Sequence, residues 1–371
     1  MFGRRLLPVL KKFPNKAVAK SPSCASNGPS NDRFTMLTYN MLSPHYMWPQ
    51  VYTYVQEKYK NWGYRHQLLE TELFYKYKAD IICLQELTGT DYNEFWKDQM
   101  KNRINYGSNF AIKPPPTYWT KSEKDMDGVG IFYNLEKFTY LFSNQIYLND
   151  LVGTFDQQEL NYLHNQNITL TNGAGDVIGQ DNVYNVSKAR NQVCLFVLLR
   201  HKETKSIIVV INTHLYWKYD EVKLVQCLTI MRKLQRIIKG LLMGLDDVTY
   251  SNVKILFCGD FNSARDSLVI KFLNGEMINH GDINLQNPMR AYLSHSIYDE
   301  IPDDSYIHTC YSGKLKGIFD YIWFHQGDFE VVKVLSGAEV SKELDSLQQF
   351  GLPNENHPSD HIPVLTELRI L

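Results

Sequence analysis

Ile255-Leu256-Phe257-Cys258-Gly259-Asp260-Phe261-Asn262 is an apolar run closed by a glycine and two short polar side chains. Such a run reads as a buried strand, and the polar residues that end it lie at the sheet edge, where ligands bind. Gly259 lets the backbone turn sharply there. Asp260 and Asn262, two residues apart in extended chain, then project the same way. Alone, Asp-x-Asn is about as often a plain turn as a site.

The pattern recurs along the chain. Ile81-Ile82-Cys83-Leu84 ends at Gln85-Glu86, and Val209-Val210-Ile211 ends at Asn212-Thr213-His214. Ser359-Asp360-His361 stands before Ile362-Pro363-Val364. Tyr39-Asn40 closes a strand over 34–42, and Asp320-Tyr321 opens one over 320–324. Further strands are expected at 129–133, 193–199, 206–213, 253–259 and 364–370. Apolar residues recur at helical spacing over 64–78 and, most clearly, over 222–242. Strands dominate and helices separate some of them, which indicates packed sheets flanked by helices, an α/β fold. The Asn- and Gly-rich stretch 161–185 reads as a surface excursion.

The 371 residues suit one large or two ordinary domains, and 44% hydrophobic with 21% charged content is that of a globular protein. A formal charge of −1 argues against a globally basic nucleic-acid surface and leaves room for a local basic groove. The six cysteines form no CxxC pair, and three lie in apolar runs, so they read as reduced core residues. No apolar stretch reaches the eighteen or so residues of a membrane span. Residues 1–33 differ from the rest. They hold seven Lys or Arg against the single acid Asp32, with Ser21, Ser23, Ser26 and Ser30 between them. Basic, Ser-containing and acid-poor is the composition of a mitochondrial transit peptide. The expected organisation is a targeting arm over 1–33 and a catalytic domain over 34–371, working in the mitochondrial matrix, with the cytoplasm as the alternative.

Glu, Asp, Asn and His side chains gathered at strand ends suit metal-assisted phosphoester hydrolysis. That reaction needs the phosphate neutralised, a hydroxide generated and the leaving oxygen stabilised. Mg2+ does this with oxygen ligands and only one or two carboxylates. Glu86 is the main ligand candidate, and Asp360 can approach the same ion or a second one. Asp260 can take a proton from the attacking water or share the metal, while Asn262 can donate to a phosphate oxygen or orient Asp260. His361 can donate to developing charge if a carboxylate fixes its other nitrogen, and Asp320 is the candidate partner. His214 offers another phosphate donor.

In this order, Tyr39-Asn40, Leu84-Gln85-Glu86, Thr213-His214-Leu215, Gly259-Asp260-Phe261-Asn262, Asp320-Tyr321-Ile322 and Ser359-Asp360-His361-Ile362-Pro363 resemble the endonuclease/exonuclease/phosphatase superfamily. The 127–132 segment, Trp217 and the Val222-Lys223-Leu224-Val225-Gln226 stretch resemble its deadenylase, nocturnin and Angel branch, and within it the fungal Ngl-type group. The resemblance covers about 34–371. It implies a four-layer α/β/β/α sandwich of two mixed sheets, as in deoxyribonuclease I. It implies Mg2+, with Mn2+ as an alternative, held mainly by Glu86 with Asn40 nearby. It implies Asp260 as base, Asn262 and His214 on the phosphate, and His361 paired with Asp320.

The branch's poly(A) deadenylases add a leucine-rich-repeat adaptor module, and no such repeat is present in this sequence. They also sandwich adenine between a Pro and a Phe, where this chain has Tyr219 and Leu315, which leaves poly(A) preference open. Lys121 stands where basic residues meet substrate phosphates in nocturnin-like members. The expected activity is a 3′ exoribonuclease releasing nucleoside 5′-monophosphates. The alternative is a phosphatase or phosphodiesterase acting on a small nucleotide, such as NADP(H) or a 2′,5′-oligoadenylate. An inactive binding subunit is a third reading, disfavoured because no metal or base position is lost.

Overall fold

In β1 (Arg33–Asn40), Leu37 and Tyr39 enter one apolar layer while Phe34 and Met36 enter another. That period of two is the mark of a strand buried on both faces. β2 (Ile81–Thr88) repeats it, with Ile82 and Leu84 on one side and Ile81 and Cys83 on the other. The structure, a computed structural model, describes residues 31–371 apart from 245–247, 250, 281–282, 301–307, 314, 337–339, 343 and 345–349.

β1 and β2 join β3 (Tyr106–Ile112), β4 (Asp127–Asn134), β17 (Phe329–Ser336) and β18 (Val364–Ile370) in one sheet, ordered β17-β18-β1-β2-β4-β3. The second sheet holds β5 (Phe138–Tyr147), β8 (Val193–His201), β9 (Ile207–His214), β10 (Val253–Asp260), β13 (His295–Ser296) and β16 (Asp320–Phe324). Its order is β13-β16-β10-β9-β8-β5. Small hairpins pair β6 (Asn167–Thr171) with β7 (Val177–Asn182), β11 (Ile278–His280) with β12 (Ile283–Leu285), and β14 (Cys310–Ser312) with β15 (Leu315–Gly317).

Each large sheet contains one parallel pair, β1 with β2 and β9 with β10, amid antiparallel neighbours. This arrangement positions the site. The parallel strands end at one edge with Asn40, Glu86, His214 and Asp260, and their antiparallel neighbours begin at that edge with Asp127, Asp320 and, just before β18, His361. Asp260 lies in register with His214 on one side and Asp320 on the other. Across the sandwich, β1 faces β10 and β2 faces β9.

A buried polar bridge crosses between the sheets one layer below that edge. Gln85 Nε2 donates to Asn212 Oδ1 at 2.7 Å, and Asn212 Nδ2 donates to the carbonyls of Leu84 and Gly130 at 3.0 and 2.9 Å. The helix Trp62–Thr71, its π-helical continuation Glu72–Lys76 and the helix Lys97–Ile104 cover the first sheet through Leu69, Leu73, Phe74 and Met100. The helix Asp220–Gly244 buries Val222, Leu224, Val225, Leu228, Met231, Leu234 and Ile238 on the second. The layers are thus helix, sheet, sheet, helix, as expected.

Differences from the sequence reading are local. The 64–78 helix begins at Trp62 and its last turns are π-helical. The 161–185 stretch is not plain loop. It contains the end of the helix Gln157–Asn165, the β6–β7 hairpin and the start of the helix Val183–Lys188. The strands β3, β5 and β17 went unassigned because polar residues interrupt their apolar pattern. Of the arm, residues 1–30 lie outside the described residues, and Arg33 already belongs to β1. Cys83, Cys194, Cys227, Cys258 and Cys310 are free and buried. Among the described residues no helix is long and apolar enough to cross a membrane.

Replacing Asn212 by Ala deletes three buried hydrogen bonds, while Gln85 Nε2 keeps Thr38 Oγ1 at 3.0 Å and the Cys83 carbonyl at 3.3 Å. Urea denaturation is expected to show a loss of roughly 2–4 kcal/mol. An unchanged midpoint would mean that the bridge does not hold the sheets together.

Candidate active site

Backbone strain marks the strand ends. Glu86 has φ 57° and sits at a register shift between Gln85 and Leu87, a bulge that turns its side chain out of the strand's alternation. Asn262 has φ 47°. Left-handed backbone at a non-glycine residue costs about 1–3 kcal/mol and gathers at functional sites. Gly259 has φ 138°, and a Cβ there would lie 1.9 Å from the Thr213 carbonyl oxygen. Only glycine fits, which gives the glycine of the Gly-Asp-Phe-Asn stretch its physical reason.

One side chain links the two sheets at this edge. Asn40 Nδ2 donates to Glu86 Oε1 at 3.1 Å and to Asp260 Oδ2 at 3.0 Å, while its Oδ1 accepts the Leu42 N–H at 3.0 Å. Glu86 Oε2 accepts the Ser43 N–H at 2.7 Å, and Asp260 Oδ1 accepts the Asn262 N–H at 2.8 Å. His214 lies between the carboxylates, Nδ1 4.0 Å from Glu86 and Nε2 3.5 Å from Asp260. His361 Nε2 is 3.7 Å from Asp260, and its Nδ1 meets Asp320 Oδ2 at 2.8 Å. Asp360 accepts the Tyr52 hydroxyl at 2.8 Å on Oδ2, and its buried Oδ1 has no partner among the described residues. The structure therefore gathers Asn40, Glu86, His214, Asp260, Asn262, Asp320, Asp360 and His361 at one edge.

Charge divides the site into two ends. Burial, then repulsion from Asp127 and Asp360, pushes the Glu86 carboxyl up to about 7, with Lys113 and the Ser43 N–H offsetting only part. Burial likewise raises Asp360, against His361 and the Tyr52 hydroxyl. Glu86, Asp127 and Asp360 offer oxygen only, and their mutual repulsion is what a hard divalent cation relieves. The donor set fits such an ion, and Glu86 and Asp360 are the candidates to hold it. At the other end, burial drives the His214 imidazole down to about 3 despite Asp260, so it is neutral. Burial also opposes charge on His361, but Asp320 chiefly, with Cys310 and Asp260, outweighs it and holds the imidazole well above its usual value.

Several residues that sequence reasoning missed brace this arrangement. Lys113 is buried, pairs with Asp127 Oδ2 at 2.5 Å and brings its charge to bear on both Glu86 and His214. Tyr46 donates to the other Asp127 oxygen at 2.7 Å. Arg65, fully buried, donates to the carbonyls of Leu42 and Pro358 at 2.8 and 3.0 Å, tying the loops that carry Asn40 and Asp360. Ser359 Oγ donates to the Asn40 carbonyl at 2.6 Å. No sequence pattern announces these, because each acts on a group brought close only by folding. The 222–226 stretch is explained as a brace too. Lys223 Nζ donates to the Asn262 carbonyl at 2.7 Å, and Gln226 Oε1 accepts the Tyr216 N–H at 2.8 Å.

The substrate-wall candidates stand on separate loops. Lys121 is exposed, with Nζ 2.9 Å from His45 Nδ1. Tyr219 is half-buried: its hydroxyl accepts the Thr171 N–H at 3.0 Å and its ring packs 6.0 Å from that of Tyr216. It anchors the β6–β7 hairpin and is not a freely presented stacking face. Leu315 is 52% exposed on the β14–β15 hairpin. Trp217, three residues after His214, is 59% exposed and is the freely presented ring of that loop.

Residues 37–361 match the Endonuclease/Exonuclease/phosphatase family. The chain is 60% identical over 374 residues to the Saccharomyces cerevisiae protein named RNA exonuclease NGL1, covering all of both chains. It is 28% identical to the Candida albicans CCR4-Not complex 3′-5′-exoribonuclease subunit Ccr4, over 92% of this chain but only 42% of that longer protein. Among solved structures, ANGEL2, described as a 2′,3′-cyclic phosphatase, shares the fold with a TM-score of 0.65 at 20% identity, covering 91% of this chain and 96% of that one. The human nocturnin catalytic domain does so with a TM-score of 0.57 at 18% identity, over 92% and 95%.

The raised Glu86 carboxyl has a consequence for stability without metal. A folded-state pKa of about 7 against 4.5 means that the native state keeps a proton the unfolded chain has lost. Stability therefore declines as pH rises through that window, by on the order of 1–3 kcal/mol. In EDTA, wild type should lose stability relative to Glu86→Gln between pH 5 and pH 8, as read by thermal denaturation. Parallel curves for the two proteins would contradict the assignment.

Proposed function

Because the chain belongs to the Endonuclease/Exonuclease/phosphatase family, we propose that it is a divalent-metal-dependent 3′ exoribonuclease releasing nucleoside 5′-monophosphates. The observation that carries the chemistry is the Asn40 amide joined to Glu86 from one sheet and Asp260 from the other. RNA as substrate is supported by the 60% identity, over full lengths, with a protein named RNA exonuclease.

In this reading Glu86 holds the cation, with Asn40 fixing its carboxylate and Asp360 beside it. Mg2+ is the ion the oxygen donors favour, with Mn2+ as its substitute. Held there, such an ion would supply charge neutralisation at the phosphate and a more acidic water. Asp260 takes the proton of the attacking water, its orientation set by hydrogen bonds from Asn40 and Asn262. His214 is neutral and positioned to donate to a phosphate oxygen. Asn262 Nδ2 spends one hydrogen on the Leu215 carbonyl at 2.9 Å and keeps the second for the phosphate. His361, charged through Asp320, donates to the negative charge that develops in the transition state. Lys121 and Leu315 are assigned to substrate contact through the family resemblance, and Tyr219 acts by anchoring the β6–β7 hairpin.

The acid-poor, basic composition of residues 1–33 supports import into the mitochondrial matrix, with the cytoplasm as the alternative address. A fluorescent fusion should be mitochondrial with residues 1–33 and diffuse without them. Unchanged mitochondrial location after the deletion would exclude the arm as the signal.

For the activity, the purified chain with Mg2+ is given a 5′-labelled oligo(A), a mixed-sequence RNA, the same RNA ending in a 2′,3′-cyclic phosphate, and NADPH. Ladders of 3′-shortened RNA with nucleoside 5′-monophosphates are expected, and EDTA should abolish them. Phosphate release from NADPH alone, with the RNAs intact, would favour the small-nucleotide reading. Glu86→Ala and Asp260→Ala should each lower the rate by about 10²–10⁴-fold. Full activity in either would place the site elsewhere.

A further inference from the structure

Cys310 is the first residue of the β14–β15 hairpin, buried beside the catalytic edge, and the reaction just described gives it no task. It forms an isolated antiparallel bridge with His361, and the Tyr311 N–H donates to the Asp360 carbonyl at 2.7 Å. Backbone pairing therefore holds the hairpin against the Ser359-Asp360-His361 segment. The Cys310 sulfur, a carboxylate oxygen of Asp360 and a ring nitrogen of His361 all lie within 4.8 Å of one another, and all three residues are buried. Asp360 also carries an oxygen, Oδ1, that is buried and has no hydrogen-bond partner among the described residues.

Sulfur, imidazole and carboxylate are together the ligand types of zinc, whereas a hard ion such as Mg2+ takes the carboxylate but not the sulfur. A tetrahedral zinc with bonds of about 2.0–2.3 Å draws its ligand atoms to within roughly 4 Å of one another. Small side-chain adjustments bring this triad to that spacing, with water as a fourth ligand. We propose that Cys310, Asp360 and His361 form a second, inhibitory metal site that takes Zn2+ or a similarly soft divalent cation. On binding, the Cys310 S–H proton and one imidazolium proton of His361 leave to solvent as the metal–sulfur and metal–nitrogen bonds form, and no group is oxidised or reduced. Tyr52 can keep its bond to Asp360 Oδ2 while Oδ1 turns to the metal.

Inhibition follows from His361. Its Nδ1 is the atom bonded to Asp320 at 2.8 Å, and its Nε2 faces Asp260 at 3.7 Å. A cation on either nitrogen removes what the imidazole contributes to the cleft. The site would thus report free zinc as lost activity, with Mg2+ still at Glu86. The inhibitory part rests on the nuclease reading, whereas the binding part does not.

The full chain, in excess Mg2+, is titrated with Cd2+ and followed by the ultraviolet thiolate-to-cadmium charge-transfer band. Wild type should gain a band from one cadmium that is absent in Cys310→Ser, which keeps the other five cysteines. Zn2+ should raise the melting temperature of wild type and not that of Cys310→Ser or Cys310→Ala. Zinc inhibition of RNA hydrolysis, scaled to each protein's own Mg2+ activity, should need at least roughly tenfold more zinc in the variants. Equal cadmium bands in wild type and Cys310→Ser would overturn the site, and equal zinc inhibition would overturn its control of activity. If the wild type hydrolyses no RNA, the nuclease reading fails and the cadmium band alone decides the site.

Discussion

The Asn40 side chain is the constraint on which the site depends. Its amide nitrogen donates to a carboxylate of each sheet, 3.1 Å to Glu86 and 3.0 Å to Asp260, and its oxygen is held by the Leu42 N–H. Hydrogen bonds from a neutral donor to ionised acceptors are strong ones. Here they fix the separation of two carboxylates that would otherwise drift with every shift of one sheet over the other. One layer below, Gln85 and Asn212 lock the same two sheets by a buried amide pair. Catalytic geometry and sheet registry are therefore set by residues of neighbouring strands, β1 and β10 for the first and β2 and β9 for the second.

Either side of Asn40 the site has different chemistry. Towards Glu86 it is an oxygen-lined concentration of negative charge, opposed by the buried Lys113 that is itself paired with Asp127. Towards Asp260 it is a carboxylate flanked by one neutral and one charged imidazole. An ion at the first end and proton movement at the second are the division of labour that phosphodiester hydrolysis requires. The helix Asp220–Gly244 serves both a packing and a positioning role, since Lys223 and Gln226 hold the loops after Asp260 and His214. The β14–β15 hairpin packs against the same edge through Cys310, and so stands where a soft metal could reach His361.

Much of this was legible in the sequence, for one physical reason. A strand buried on both faces stays largely apolar until it nears the edge, so the polar side chains that close the run lead to the edge. Glu86, His214, Asp260 and Asn40 all announce themselves that way, and the bridging by Asn40 is the consequence of four strand ends sharing one rim. The parallel pairing was not legible, nor was β5, whose exposed face carries polar residues between aromatics. Lys113 and Arg65 were hidden because a lysine or arginine is expected at the surface. Only the fold shows Lys113 between Asp127 and the cleft, and Arg65 buried among the carbonyls of Leu42 and Pro358. Tyr219 shows the reverse case, since the resemblance put it at a base-binding position and the fold gives its hydroxyl to Thr171.

The central claim is that the oxygen-rich end of this edge, centred on Glu86, is where the cation binds. Anomalous diffraction from crystals soaked in Mn2+ tests it directly. The account predicts a peak about 2.0–2.2 Å from a Glu86 carboxylate oxygen, absent from Glu86→Gln crystals. A peak remote from Glu86, or one that persists in the variant, would contradict it.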